Sequence, residues 1–505
     1  MEIWLLLAVL GIFTYIILKR SVANMTKTPL GLIWLVMMTP AIIWSVWWLV
    51  YGEDQPIPPL LLIGPFVLCP LLYWWLISIG RPQKEKSQSQ QVPLQASLSD
   101  NNINLESETN QLSEDSAKVR PITPSEEKVL RDCFPWGIYY LQQIDYRPQA
   151  ILCRGKLRAV PEDAYNTVKV NVEKEFGDRF LVLFQESLQG QPFFALVTNP
   201  WAKNENQNDA KSEKLTRPGL ALALLIITLF TTTVMGAELS GVTSEQLEGD
   251  LSLLLQGLPY SLGIITVLGI HELSHYLTAV RYKIRVTLPY FIPIPFFLGT
   301  FGAFISMRSP VPNRKALFDV AIAGPWGGVI ATIPLLFWGL SLSETVPIDP
   351  KVSSLLNFES LNPRFSCLLA VIAKFALGSN LEAGQAIHLH PLAVAGYVGL
   401  IVTALNLMPV GQLDGGHMIH AMFGQKTAIV IGQLTRILMI CLAVIQPEFL
   451  LWAIILLLMP INDQPALNDV TELDNRRDFI GLLSLALLLL ILLPLPSAIA
   501  QLLNI

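Results

Sequence analysis

Leu262-Gly-Ile-Ile-Thr-Val-Leu-Gly-Ile-His271-Glu272-Leu-Ser-His275-Tyr-Leu-Thr-Ala-Val280 is the stretch that decides the fold. It is long and apolar enough for a membrane helix, which needs about 20 such residues. Within it, the residues that ionise near neutral pH are His271, Glu272 and His275, spaced as H-E-x-x-H. Histidines at i and i+4 share one helix face and can bind one zinc ion, while a glutamate beside the first can reach a metal-bound water. At membrane depth each charged residue costs about 3 kcal/mol by insertion scales, so a functional site is the default expectation there. A polar cluster that merely glues two helices is the bland alternative, and the spacing speaks against it.

Composition extends this reading outward. The 505 residues are 52% hydrophobic and 14% charged, and the mean hydropathy of +0.49 comes from long uncharged runs. Such runs are what a bilayer selects. The net charge of −5 brings no basic stripe, which leaves nucleic acid without an electrostatic footprint. The five cysteines form no CxxC pair, so neither a disulfide framework nor a thiolate zinc site is expected.

Apolar runs at Ile3 to Leu18, Leu30 to Tyr51 and Ile57 to Ile79 predict N-terminal membrane helices over 1–80. The first, followed by Lys19-Arg20 with no small-residue cleavage site, reads as a retained helix rather than a cleaved signal. Residues 81–124 are rich in Ser, Gln, Asn and acids and predict a flexible linker. Mixed patterning over 125–205 predicts a small soluble α+β domain: a helix starting at Pro161, and strands at Ala150 to Gly155, Phe180 to Phe184 and Phe193 to Thr198. Residues 211–505 hold the remaining runs: Pro218 to Met235, Leu251 to Val280, Ala316 to Leu340, Pro391 to Met408, Ala428 to Ile445, Leu450 to Met459 and Phe479 to Ile499. Cationic and acidic loops alternate along the chain, which by the positive-inside rule sets the amino terminus outside and the linker with its domain in the cytoplasm or its equivalent. The expected fold is an all-α polytopic membrane core with a small re-entrant β-hairpin, plus a small soluble α+β domain.

Two histidines leave a catalytic zinc short of a third protein ligand, which an acid elsewhere in apolar sequence should supply. Asp414 is the candidate, in Asn406-Leu-Met-Pro409-Val-Gly-Gln-Leu-Asp414-Gly415-Gly416, where proline and glycines break the helix as irregular backbone lining a site does. A turn or N-cap role for Asp414 is the competing reading. His388, His390, His417 and His420 are not expected as ligands, since three protein donors and a water complete the zinc. The broken stretch Val286 to Met307, with Gly299 and Gly302 beside alternating aromatic residues, predicts a membrane-embedded hairpin whose edge can pair with an unwound substrate. A loop that only packs over the site is the alternative.

Through His271-Glu272-Leu-Ser-His275 and Asn406-x-x-Pro409-x-x-x-x-Asp414-Gly415, the chain resembles the site-2 protease family of intramembrane zinc metalloproteases. The branch it most resembles is the cyanobacterial and chloroplast one, which includes the plant ethylene-dependent gravitropism-deficient and yellow-green proteases. The resemblance implies zinc held by His271, His275 and Asp414, with Glu272 as general base and acid and Asn406 orienting the substrate backbone or its oxyanion. It also implies single-span membrane proteins as substrates, in a plasma or thylakoid membrane, with the active site toward the cytoplasmic side. Between the two motifs there is no room for the PDZ domain that many members carry. Two other classes are weighed against this one. A metal transporter would string ionisable residues along a pathway, and a catalytically inactive scaffold would lack members of the histidine, glutamate and aspartate set.

Overall fold

A computed structural model describes residues 28–52, 121–147, 150–187, 190–199, 217–295, 298–347, 357–445 and 449–505, with isolated positions between 11 and 76. The predicted spans Ile3 to Leu18 and Ile57 to Ile79, and the linker over 81–124, fall largely outside the described residues. Contacts divide the chain into two units, Met1–Asn104 with Ile440–Ile455, and Leu105–Met439 with Leu456–Ile505. In the first, helix α1 (Leu30–Tyr51) passes through Pro40, and two of its indoles donate to main-chain carbonyls: Trp34 Nε1 reaches that of Gly11 at 2.8 Å and Trp44 Nε1 that of Leu61 at 3.2 Å.

The second unit opens with α2 (Pro124–Asp132), whose start is fixed by a capping box between Thr123 and Glu126. Strands β1 (Tyr139–Arg147) and β2 (Ala150–Leu157) follow, then α3 (Pro161–Phe176), β3 (Phe180–Glu186) and β4 (Pro192–Thr198). They form an antiparallel sheet in the order β1-β2-β4-β3, which leaves β3 at an edge. One face packs Phe184, Phe194, Tyr139 and Ile151 against Val168 and Val172 of α3. Leu467 and Val470, distant in sequence, join the same core.

The apolar part comprises α4 (Pro218–Leu239), α5 (Leu258–Arg281), α6 (Arg314–Ser341), α7 (Cys367–Leu377), α8 (Pro391–Leu407), α9 (Asp414–Phe423), α10 (Gln425–Ile445), α11 (Leu450–Leu458) and α12 (Asn475–Leu492). Among the described residues, five helical stretches are long and apolar enough to cross a membrane: Leu30–Tyr51, Pro218–Leu239, Leu251–Arg281, Arg314–Ser341 and Gln425–Val444. The run expected through Ile499 stops at Leu492 and turns by 76° into Ser497–Leu503. Pro494 and Pro496 explain the break, since neither offers a backbone donor. Helices α6 and α8 approach so closely that a Cβ on Gly396 would sit 2.7 Å from the Leu336 α-carbon. Small residues at a crossing allow this, and without them apolar helices in lipid gain little from packing.

Between α5 and α6 the chain forms a hairpin, β5 (Tyr290–Pro293) and β6 (Thr300–Phe304), paired antiparallel with Tyr290 opposite Phe304. Its turn rests on α4: Thr231 Oγ1 donates to the Gly299 carbonyl at 2.7 Å, and Gly299 itself has φ +76°. A second small ribbon pairs β7 (Glu344–Pro347) with β8 (Gln385–His388).

Candidate metal centre

His271 and His275 project from one face of α5, one turn apart, and both are buried. Opposite them α6 presents glycine: a Cβ on Gly324 would lie 2.0 Å from His275 Nε2, and one on Gly328 would lie 3.1 Å from His271 Nδ1. Room for two imidazoles therefore exists because α6 lacks side chains there. Asp414 arrives from a break between α8 and α9. Gly411, with φ +55°, turns the chain there, and Gly415 brings α9 so near α8 that a Cβ would stand 2.0 Å from the Leu407 carbonyl oxygen. Asp414 is the first residue of α9, and Leu413 takes the N-cap place, so the capping reading does not hold.

The donor atoms converge. His271 Nε2 and His275 Nε2 are 3.2 Å apart, and Asp414 Oδ2 lies 3.4 Å from the first and 3.2 Å from the second. Zinc bonds of about 2.0–2.1 Å in tetrahedral array place neighbouring donors about 3.3 Å apart, so this spacing is that of three ligands around one ion. Among the described residues this is the group of three that could hold a metal. His275 Nδ1 stands 2.7 Å from the Val320 carbonyl, an acceptor only, so Nδ1 donates there and Nε2 is the nitrogen turned toward His271 Nε2 and Asp414 Oδ2. A metal ion bound there would take the Nε2 lone pairs of both imidazoles and one carboxylate oxygen, with His275 Nδ1 still held by its carbonyl. The residues present fit zinc.

Glu272 is buried beside them and faces the Ile305 backbone N–H at the end of β6. The Asn406 side-chain nitrogen lies 3.1 Å from His271 Nε2. All five line one cavity of about 270 Å³, together with Ala303, Phe304, Ile305, Gln412 and His417. Gly299 and Gly302, expected to touch substrate, are absent from that lining: Gly299 makes the turn over α4, and Gly302 (φ +110°) shapes the strand whose next residues reach the cavity. His417 and His420 contact carboxylates instead, His417 Nδ1 with Asp463 at 2.7 Å and His420 Nδ1 with the same side chain at 2.6 Å. His388 and His390 lie on β8 and at the N-cap of α8. Sequence reasoning missed Asp463 and Asp469, whose burial no local pattern announces.

A helical membrane protein in which H-E-x-x-H meets a distant aspartate in one cavity belongs to the zinc metalloprotease class. The model of peptidase family M50 matches residues 259–445. The probable zinc metalloprotease EGY1, chloroplastic, of Arabidopsis thaliana is 27% identical over 75% of this chain and 73% of its own. EGY2, chloroplastic, of the same plant is 30% identical over 72% of this chain and 64% of its own. For EGY3, chloroplastic, of Oryza sativa subsp. japonica the figures are 26%, 72% and 63%. Residues 259–445 thus carry the domain of peptidase family M50, zinc metalloproteases of the site-2 protease kind, and over about seven tenths of its length the chain is similar to these EGY proteins. It spans roughly two thirds of the length of the curated relatives it matches, 64% of EGY2 for instance. No solved structure matches it.

Proposed function

We propose that this membrane zinc protease hydrolyses peptide bonds within or beside the membrane spans of other proteins, with single-span proteins as its substrates. The observation that carries this reading is the burial of His271, Glu272 and His275 along a helix apolar enough to cross a bilayer, with Asp414 at hydrogen-bonding distance from His275. In this reading His271, His275 and Asp414 hold zinc. When bound, zinc supplies Lewis acidity that activates water for attack on a peptide carbonyl. Glu272 takes the proton from the attacking water and passes it to the leaving amine, a role its place beside His271 supports. Asn406 donates to the substrate carbonyl oxygen. The free edge of β6 near Ala303 pairs with an unwound substrate strand and holds its peptide bond against Glu272. Residues 81–124 act as a linker and 125–205 as a cytoplasm-side domain, with the site opening toward that side, as the alternation of loop charges supports. Thylakoid or plasma membrane is the setting.

The test is cleavage of a single-span model substrate by the purified full chain in detergent or liposomes, with product termini read by mass spectrometry. The Glu272→Gln variant should keep its zinc and lose cleavage by about 10³-fold or more, as expected for removal of a general base. Undiminished cleavage by that variant, or products cut only far outside the span, would overturn the reading.

A further inference from the structure

His420 is fully buried on α9, six residues beyond Asp414, and both its ring nitrogens meet carboxylates. Nδ1 is 2.6 Å from Asp463 and Nε2 is 3.1 Å from Asp469. A carboxylate only accepts, so both nitrogens donate and the ring is an imidazolium. Asp463 also takes His417 Nδ1 at 2.7 Å, and Asp469 faces Arg314 Nε at 3.5 Å. Two buried anions are thus matched by His420 and Arg314, as burial of charge demands.

The two aspartates belong to a segment that the α+β unit holds. Phe184 N–H donates to the Leu467 carbonyl at 2.7 Å, Asp469 N–H donates to the Phe184 carbonyl at 2.9 Å, and Gln185 Nε2 reaches the Ala466 carbonyl at 2.7 Å. On its other side the segment donates from Leu467 and Asn468 to the carbonyls of Val311 and Pro312, just before α6. The 466–469 stretch therefore lies along the otherwise open edge of β3, while Leu467 and Val470 pack into the sheet's core.

We infer that the α+β unit is a built-in clamp on the zinc site: edge strand β3 fixes the 463–470 segment, whose aspartates grip His420 and so set where α9 holds Asp414. His420 is a positioning residue in this arrangement. The inference rests on the zinc reading above and adds what keeps the carboxylate ligand in place. A loosened grip lets α9 shift about its glycine-rich start, and Asp414 leaves the two imidazoles.

The experiment measures zinc affinity of the purified full chain by chelator competition, and the visible absorption spectrum after cobalt replaces zinc. The variants are Asp414→Ala, His420→Gln and Gln185→Glu, the last setting a carboxylate against the Ala466 carbonyl. His420→Gln should weaken zinc at least about 10-fold, the range seen when supports of metal ligands are removed, and should change the cobalt band. Gln185→Glu, far from the metal, should weaken it about fivefold. Wild-type affinity and an unchanged cobalt spectrum in either folded variant overturn the clamp. Should His420→Gln fail to fold, Gln185→Glu alone decides between these outcomes. Failure of the wild type to bind zinc, or an unaffected Asp414→Ala, would overturn the zinc reading itself, which keeps the two failures apart.

Discussion

His275 Nδ1 stands 2.7 Å from the main-chain oxygen of Val320, so a helix other than its own fixes the ring's tautomer and its orientation. Because the anchor is backbone, no side-chain substitution at Val320 removes it. The glycine one turn further along α6 is the vulnerable point. Gly324→Ala would place a methyl 2.0 Å from His275 Nε2, and the anchored ring cannot swing aside without losing the Val320 contact. Zinc affinity should fall at least about 10-fold, with a stability loss of about 1–3 kcal/mol from overpacking. Chelator competition and thermal unfolding of the same preparation check both.

Polar residues at membrane depth are conspicuous, which is why His271, Glu272, His275 and Asp414 could be read from sequence and why the structure brings them into one cavity. Asn406 was legible only through its place before Pro409 in the resemblance, and the structure sets its amide against His271. Asp463 and Asp469 were not legible: they follow an apolar helix in a polar stretch, where solvated acids are the ordinary case. Their burial follows from strand pairing with β3, a contact between residues about 280 positions apart that no local pattern encodes. The end of α12 is marked by Pro494 and Pro496, which lack backbone donors, although the apolar run itself continues to Ile499. Helix α7 was missed because 11 residues are too few to register as a span.

Arg436 offers a test of how the Asp414 loop is supported. Its guanidinium, buried on α10, donates to the carbonyls of Met459 at 2.8 Å and Pro460 at 3.0 Å. The Pro460 oxygen is also what a Cβ on Gly411 would strike, at 2.0 Å. Arg436→Met leaves the Met459 and Pro460 carbonyls without this donor behind the loop that delivers Asp414. A loss of about 2 kcal/mol follows from the cost of unsatisfied acceptors, together with weaker cleavage, while Arg436→Lys should recover part of both. Thermal unfolding beside cleavage rate measures it; a stable, fully active Arg436→Met would show that the loop needs no such support.

The grip on His420 also predicts a pH dependence. Burial alone would lower its imidazole, but Asp463 and Asp469 push it up to about 9 from the ordinary 6.5. Burial would raise Asp463, yet hydrogen bonds from His417 and His420 hold it down at about 2. The groups facing His420 are thus Asp463 and Asp469, backed by His417 and Arg314. A histidine raised in the folded state contributes fully below its unfolded value and loses that contribution as pH climbs through about 9. The depressed aspartate contributes above its unfolded value and loses it as pH falls through about 2. The stability gap between wild type and His420→Gln should be on the order of 2 kcal/mol near pH 6 and should shrink toward pH 9. Unfolding midpoints across pH 5 to 9 test it, and a gap that stays flat would exclude an imidazolium held by two carboxylates.

Asn406 separates binding of the ion from chemistry. Its amide nitrogen is 3.1 Å from His271 Nε2, a bond that lasts only while that nitrogen keeps its lone pair. Were His271 Nε2 to hold a zinc ion, the amide donor would be free for the oxygen of a peptide carbonyl seated in the cavity. A donor aimed at developing negative charge is worth about 10²–10³-fold in turnover. Asn406→Ala should therefore lower kcat by about that factor while zinc content and KM change little. Asn406→Asp keeps the shape but swaps the donor for a carboxylate, so it should be at least as slow. Single-turnover cleavage with parallel metal analysis distinguishes the cases: a parallel loss of zinc would make Asn406 a support for His271, and an unchanged kcat would remove it from the chemistry.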